Sequence, residues 1–208
     1  MSHAADNRTL KHGCIVMASG AGVRFGGNKL MAELCGEPLV GHVVRATDGL
    51  FDRRVVVTRH ADVAALCETL GAQVILHDES GRNDTVRLGM EAMDGCGTVT
   101  FVQGDQPLIR PASIAALLRA AERDVTRGTS ASIWRTGFNG APGAPVLFPS
   151  WAFDELRSLP HGKGGGFVAK MHAEYVRTIE ASSEWELFDV DTRDDLQQLQ
   201  AYVARCGM

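Results

Sequence analysis

The sequence predicts an α/β protein: a single three-layer domain with a mostly parallel sheet and helices on both faces, plus some antiparallel strands in its second half. Three observations carry this expectation. Short apolar runs alternate with stretches of helical spacing from Gly13 to Asp124, a βαβα rhythm. A glycine-rich segment, "MASGAGVRFGGNKL" (Met17–Leu30), follows the first apolar run, where such sheets place ligand loops. After about Gly128 the rhythm breaks into short apolar runs separated by glycine and proline.

Each element has its own signal. "GCIVMA" (Gly13–Ala18) reads as a buried first strand. Pro38–Asp48 reads as a helix with Leu39, Val43, Val44 and Thr47 on one side. "RRVVVT" (Arg53–Thr58) is a second strand, Asp62–Leu70 a helix, and "AQVILH" (Ala72–His77) a third strand. Asp84–Met93 has helical spacing at Val86, Leu88, Met90 and Met93, and "TVTFVQ" (Thr98–Gln103) is a fourth strand. Pro111–Asp124 is a helix whose proline suits its first turn. Farther on, "TSASIW" and "PVLF" predict short strands flanking a loop, "RTGFNGAPGA" (Arg135–Ala144). "HGKGGGF" (His161–Phe167) predicts a second glycine loop, "WELFDVD" (Trp185–Asp191) a late strand, and Asp194–Arg205 a closing helix.

Composition narrows the class. A chain of 208 residues, 45% hydrophobic and 22% charged, can bury a sizeable core without staples. No apolar run reaches the roughly 18 residues of a membrane helix. "MSHAADNRTLKH" lacks the apolar centre of a secretory signal and reads as a disordered leader over 1–12, ahead of one domain over 13–208. The five cysteines are widely spaced with no CxxC pair, which predicts reduced thiols and a cytoplasmic protein. The net charge of -4 argues against nucleic acid as a partner. Asn7–Ala32 carries four basic residues and no acid, whereas Glu180–Asp195 carries seven acids and one arginine. One end suits an anion and the other a cation, as a metal–nucleotide complex requires.

The first glycine loop can be tested against known phosphate loops. A Walker A loop needs GxxxxGK[ST]; Gly22 and Gly27 have that separation, but Asn28 follows and Leu30 cannot hold a metal. A dinucleotide fingerprint needs GxGxxG; Gly20, Gly22 and Gly26 are one residue too long, and the second strand ends in "TRH" without an acid. What remains is a strand followed by A-S-G-x-x-x-R-F-G-x-x-K. Its glycines let backbone N–H groups approach phosphate oxygens. Arg24 can fork two oxygens, and Lys29 adds a point charge.

This segment resembles the signature L-A-[AG]-G-x-S-x-R-[FM]-G-x-x-K of nucleotidyltransferases with a glycosyltransferase-A-like, Rossmann-like fold (the nucleotide-diphospho-sugar transferase type). Members include the molybdenum cofactor guanylyl- and cytidylyltransferases. Ser19 and Gly22 depart from the usual pattern. The resemblance implies nucleotide binding by Ala18, Ser19, Gly20, Ala21, Gly22, Arg24 and Lys29. "GDQP" (Gly104–Pro107) places Asp105 after the fourth strand, like the family's Mg2+ ligand. "DVDTRDDL" (Asp189–Leu196) resembles D-x-D-T-P-E-D-L, which points to Asp191 as a second metal ligand and to Thr192 as a helix N-cap.

"SGRNDTVRLGM" (Ser80–Met90) is similar to a stretch of the methylerythritol-phosphate cytidylyltransferases and so implies Arg82, Asp84 and Thr85 near a CTP. An ordinary helix cap is the alternative for Asp84 and Thr85. "NGAPGAPVLF" and "HGKGGGF" resemble segments of the molybdenum cofactor cytidylyltransferases. They imply an acceptor site at Asn139, Gly143, Pro145, Lys163, Gly164 and Gly165.

The expected reaction is therefore transfer of CMP from Mg2+–CTP, with Mn2+ as a substitute metal, to a molybdopterin-type cofactor. Arg24, Lys29 and Asp105 are the expected catalytic groups. The small-molecule product would pass to a molybdenum hydroxylase or its maturation factor, with no membrane partner. GTP as donor, another phosphorylated acceptor, or a non-catalytic cofactor-binding chaperone remain as alternatives.

Overall fold

The computed structural model describes residues 10–207. The expected leader therefore falls, for residues 1–9, outside the described residues; its last residue, His12, already opens the first strand. The first half alternates as the sequence predicts: β1 (His12–Ala18), α1 (Leu39–Ala46), β4 (Arg53–Thr58), α2 (Ala61–Thr69), β5 (Gln73–Leu76), α3 (Arg82–Glu91), β6 (Thr98–Gln103) and α4 (Pro111–Arg127). Between β1 and α1 lies a small hairpin of β2 (Glu33–Leu34) and β3 (Glu37–Pro38). The second half contains β7 (Ile133–Phe138), β8 (Ala141–Pro149), α5 (Phe153–Arg157), α6 (Gly165–Met171), β9 (Val176–Glu180) and α7 (Arg193–Cys206).

The seven-stranded sheet runs β5-β4-β1-β6-β8-β7-β9. β1 lies parallel to both β4 and β6, with Ile15 between Val55 and Phe101. Only β8 runs against its neighbours; β9 joins β7 in parallel at the edge. Alternation along β1 sorts the two faces. Cys14, Val16 and Ala18 pack with Val40 and Val43 of α1, Val63 of α2 and Ile114 of α4. Ile15 packs on the other face with Val86 and Met90 of α3, Leu156 of α5 and Val168 of α6. The three-layer expectation holds.

The departures lie in the second half. The predicted loop Arg135–Ala144 is the β7–β8 hairpin, turning at Asn139 and Gly140 with φ of 49° and 79°. An Asn-Gly pair with both φ positive is the turn that matches strand twist, so its glycine marks a hairpin and not a long loop. The predicted strand Trp185–Asp191 is a 3-10 turn over Glu184–Leu187 and then extended chain outside the sheet. Trp185 stacks on Tyr202 of α7, with ring centroids 4.4 Å apart, and so packs on a helix instead of a strand. The edge place in the sheet goes to β9, whose residues are half-buried or exposed and show little apolar patterning. The second glycine loop runs directly into α6, which starts at Gly165.

Candidate active site

The C-terminal ends of β1, β4 and β6 open onto one crevice, as expected where ligands bind an open parallel sheet. The first glycine loop crosses its floor. Gly22 has φ of 60°, and a Cβ there would overlap the Gly27 carbonyl. The departure from the family's usual serine thus has a local reason: this loop turns left-handed at that residue. N–H groups of Phe25 and Gly26 donate to the Gly22 carbonyl at 3.0 and 3.1 Å and close the turn. Asn28 Nδ2 donates to Asp62 of α2 at 2.9 Å and anchors the loop's end.

Two distant acids are brought to this loop. Asp105 follows β6, where the Gly104 N–H donates to the Met17 carbonyl of β1 at 3.0 Å. The Val190 N–H donates to the Asp105 carbonyl at 3.1 Å, which draws the acidic segment alongside. Val190 is buried with Phe25 of the glycine loop and Leu199 and Val203 of α7. Thr192 caps α7: its Oγ1 accepts the Asp195 N–H at 3.1 Å, and Asp195 Oδ2 accepts the N–H groups of Asp191 and Thr192 at 3.0 and 2.7 Å. Asp191 is held by this box.

Lys29 is the centre of the arrangement. It starts a 3-10 turn, is 7% exposed, and its Nζ donates to Asp105 Oδ2 at 2.6 Å and to Asp191 Oδ1 at 2.7 Å. Arg24 donates to the other Asp191 oxygen at 2.7 Å. Burial by itself would lower the Lys29 ammonium; the charges and hydrogen bonds of Asp105 and Asp191 outweigh it and hold the group above its ordinary value. The hydrogen bond from Lys29 is the main cause that keeps Asp191 below the usual carboxylate range, against the opposite pull of burial. Asp189 is pushed up to about 6 by burial, then by repulsion from Asp105 and Asp191. The Asp189 side chain is exposed at the cavity rim, where water damps the burial effect and screens the repulsion alike.

Among the described residues no cluster of three or more His, Cys, Asp or Glu side chains forms a metal cage. Asp105 and Asp191 nonetheless converge on one cation, and two hard carboxylates completed by phosphate oxygens suit Mg2+.

A cavity of ≈ 350 Å³ extends over the loop, lined by Ser19, Gly20, Ala21, Gly22, Arg24, Lys29, Arg82, Thr85, Asp105 and Asp191 among others. Ala18 lies buried beneath, with its carbonyl bonded to the Thr58 hydroxyl at 2.8 Å. Asp84 does not line the cavity; its carboxylate accepts the Gly81 N–H at 3.1 Å and the Asn83 amide at 3.0 Å at the start of α3. The expected acceptor residues divide. Lys163, Gly164 and Gly165 border a cleft of ≈ 730 Å³ with Phe101, Phe148 and Phe167. Asn139 and Gly143 border a neighbouring cavity beside Asp189 and Arg135. Pro145 lines neither, although the two share Arg82, Gln103, Val146 and Gly166.

Sequence reasoning passed over Gln103, Arg59, Arg135 and Lys170, which also line these cavities. For Gln103 and Arg59 a signal existed: each stands at the C-terminal end of a predicted strand. Among the described residues no helix is long and apolar enough to cross a membrane.

A family profile described as "MobA-like NTP transferase domain" matches residues 14–178. A 3-deoxy-manno-octulosonate cytidylyltransferase of Anaeromyxobacter sp. is 37% identical, over 91% of this chain and 96% of that protein. The chain spans 24% of the length of the bifunctional protein GlmU from Paracidovorax citrulli, at 34% identity over 51% of this chain. An rv0371c homologue from a Mycobacterium species superposes with a TM-score of 0.79 at 25% identity, over 94% of this chain and 98% of that one. The Mycobacterium tuberculosis Rv0371C structure in complex with manganese has a TM-score of 0.69 at 20% identity, over 92% of this chain and 99% of that one, and shares the fold.

Proposed function

Because this chain belongs to the MobA-like NTP transferase family, we propose that it transfers CMP from CTP to the terminal phosphate of a molybdopterin-bound molybdenum cofactor. The products are the cytosine dinucleotide cofactor and pyrophosphate. The observation that carries the reading is the Lys29 ammonium between Asp105 and Asp191 at the mouth of the glycine-loop cavity.

An acceptor phosphate oxygen attacks the α-phosphorus of CTP as the bond to pyrophosphate breaks. The nucleophile is already an anion and needs little acid–base help. Catalysis then rests on positioning and on neutralising charge. Arg24 and Lys29 face the triphosphate, and N–H groups of Gly20 to Gly22 aim at its oxygens. Asp105 and Asp191 would hold Mg2+, which would neutralise charge on the triphosphate when bound. Arg82 and Thr85 face the nucleotide from the start of α3. The aromatic cleft with Lys163, Gly164 and Gly165 favours an acceptor with a flat ring and a phosphate. Asn139 and Gly143, on the adjoining cavity, would meet the rest of the acceptor, and Pro145 lies between that cavity's lining residues Ala144 and Val146. CTP is preferred to GTP because of the Ser80–Met90 stretch and the cytidylyltransferase relative. A cytoplasmic setting and delivery to a molybdenum hydroxylase or its maturation factor belong to the same reading.

The name of that relative favours a second reading, in which the acceptor is 3-deoxy-manno-octulosonate. Pyrophosphate release separates the two, measured with Mg2+, CTP or GTP in parallel, and either acceptor. Release with CTP and the molybdenum cofactor, slowed about 10²–10³-fold in Asp105→Ala, is the expected result. Release only with the sugar acid transfers the assignment to that acceptor. Tight cofactor binding without any release points to a chaperone.

A further inference from the structure

The Lys29 ammonium stands where both carboxylates converge, and this has a consequence for the order of binding. Asp105 Oδ2 and Asp191 Oδ1 both accept from Nζ, at 2.6 and 2.7 Å, and Asp191 Oδ2 accepts from Arg24 at 2.7 Å. Each oxygen of Asp191 therefore accepts from a cationic side chain. A divalent cation bonding to both acids would sit about 2.0–2.1 Å from each oxygen, in the space that Nζ fills. Two cations cannot share that space, and Lys29 is too buried for water to screen their repulsion.

We infer that Lys29, assisted by Arg24, is a built-in counter-ion that keeps Asp105 and Asp191 closed to divalent metal until a nucleotide triphosphate draws both cations away. The inference rests on the metal assignment made above. The means of release are in place. Both side chains line the same cavity as the Gly20–Gly22 loop, so triphosphate oxygens there compete with the carboxylates for them. Arg24 has a side chain 71% exposed, free to swing. Lys29 carries its charge on a flexible four-carbon stem. Metal then enters with or after the nucleotide, and the two ligands reinforce each other reciprocally. The free enzyme is thereby biased against the metal-loaded form.

The test is Mn2+ binding to the full chain without nucleotide, followed by the paramagnetic resonance signal of free Mn2+. Wild type should bind weakly. Lys29→Met should bind about tenfold tighter or more, Arg24→Met should gain less, and Lys29→Arg should match wild type. With a non-reacting α,β-methylene CTP, wild-type affinity should rise, and that rise should shrink in Lys29→Met. Equal Mn2+ affinity of wild type and Lys29→Met without nucleotide overturns the inference alone. Should Lys29→Met not fold, Arg24→Met decides, because it frees one Asp191 oxygen from an exposed position; no gain there overturns the inference. If no variant binds Mn2+ even with the CTP analogue, the metal assignment falls, and the inference with it.

Discussion

Ser19 fills the position where the resembling family usually has alanine or glycine, and its hydroxyl is fully engaged. Oγ donates to the Val57 carbonyl at 3.1 Å and stands 2.9 Å from His77 Nε2. With its proton directed at Val57, the hydroxyl accepts from His77 when that ring carries its proton on Nε2. The other ring nitrogen, Nδ1, is buried without a partner. Burial lowers the His77 pKa below 6.5, and the charge of Arg59 adds to this, against the opposing acids Glu79, Asp84 and Asp78. The stability this contributes is full above the unfolded value near 6.5 and is lost as pH falls below it, because the unfolded chain binds the proton more readily. Thermal melts of wild type should therefore fall more steeply between pH 7 and pH 5 than those of His77→Gln. Parallel slopes would show that His77 is not held neutral.

At the scale of elements, α7 does more than close the chain. Its capping box fixes the backbone of Asp191, and its apolar face packs on Phe25 of the glycine loop. One helix thus ties an acid to the loop it faces. Thr192→Ala removes the cap, which typically costs ~1 kcal/mol, or ~2–4 °C in melting temperature for a chain this long. Pyrophosphate release should fall as well, because Asp191 loses the frame that aims it. A stability loss with full activity would mean that Asp191 is positioned by Lys29 and Arg24 alone. α3 contributes differently. Gly89 lets it approach β1 so closely that a Cβ would come within 2.7 Å of the Ile15 side chain, and this close packing sets its first turn, with Arg82, over the crevice.

At the scale of the whole molecule, the parallel half of the sheet carries the glycine loop and Asp105, and the antiparallel extension carries the clefts assigned to the acceptor. Nucleotide binding should therefore stabilise the chain as one unit. At about 100 times its dissociation constant, a ligand adds ~2.7 kcal/mol, which corresponds to a melting shift of roughly 5–10 °C. Mg2+ with CTP should produce this shift, and Mg2+ with GTP a smaller one. Equal shifts would remove the base preference while leaving the phosphate site intact.

The sequence by itself determined the alternating first half, the glycine loop with Arg24 and Lys29, and the acids Asp105 and Asp191 as groups of interest. Side-chain period and turn chemistry, written in adjacent residues, carry the first two, and the resemblance of the short motifs GDQP and DVDTRDDL to a family pattern singles out the acids. It placed the strands of the β7–β8 hairpin but made them too short around a long loop, and it missed the edge strand β9, where weak patterning hides the strand, and the 3-10 turn at Trp185, which a stacking partner in α7 decides. Nor could it divide the residues expected at an acceptor site between two cavities. Above all, the meeting of Asp105, Asp191 and Lys29 is a tertiary result. It depends on the Val190–Asp105 backbone hydrogen bond and on the burial of Val190 beside Phe25 and Leu199. Those contacts join segments far apart in the chain, and no local preference of any one segment encodes them.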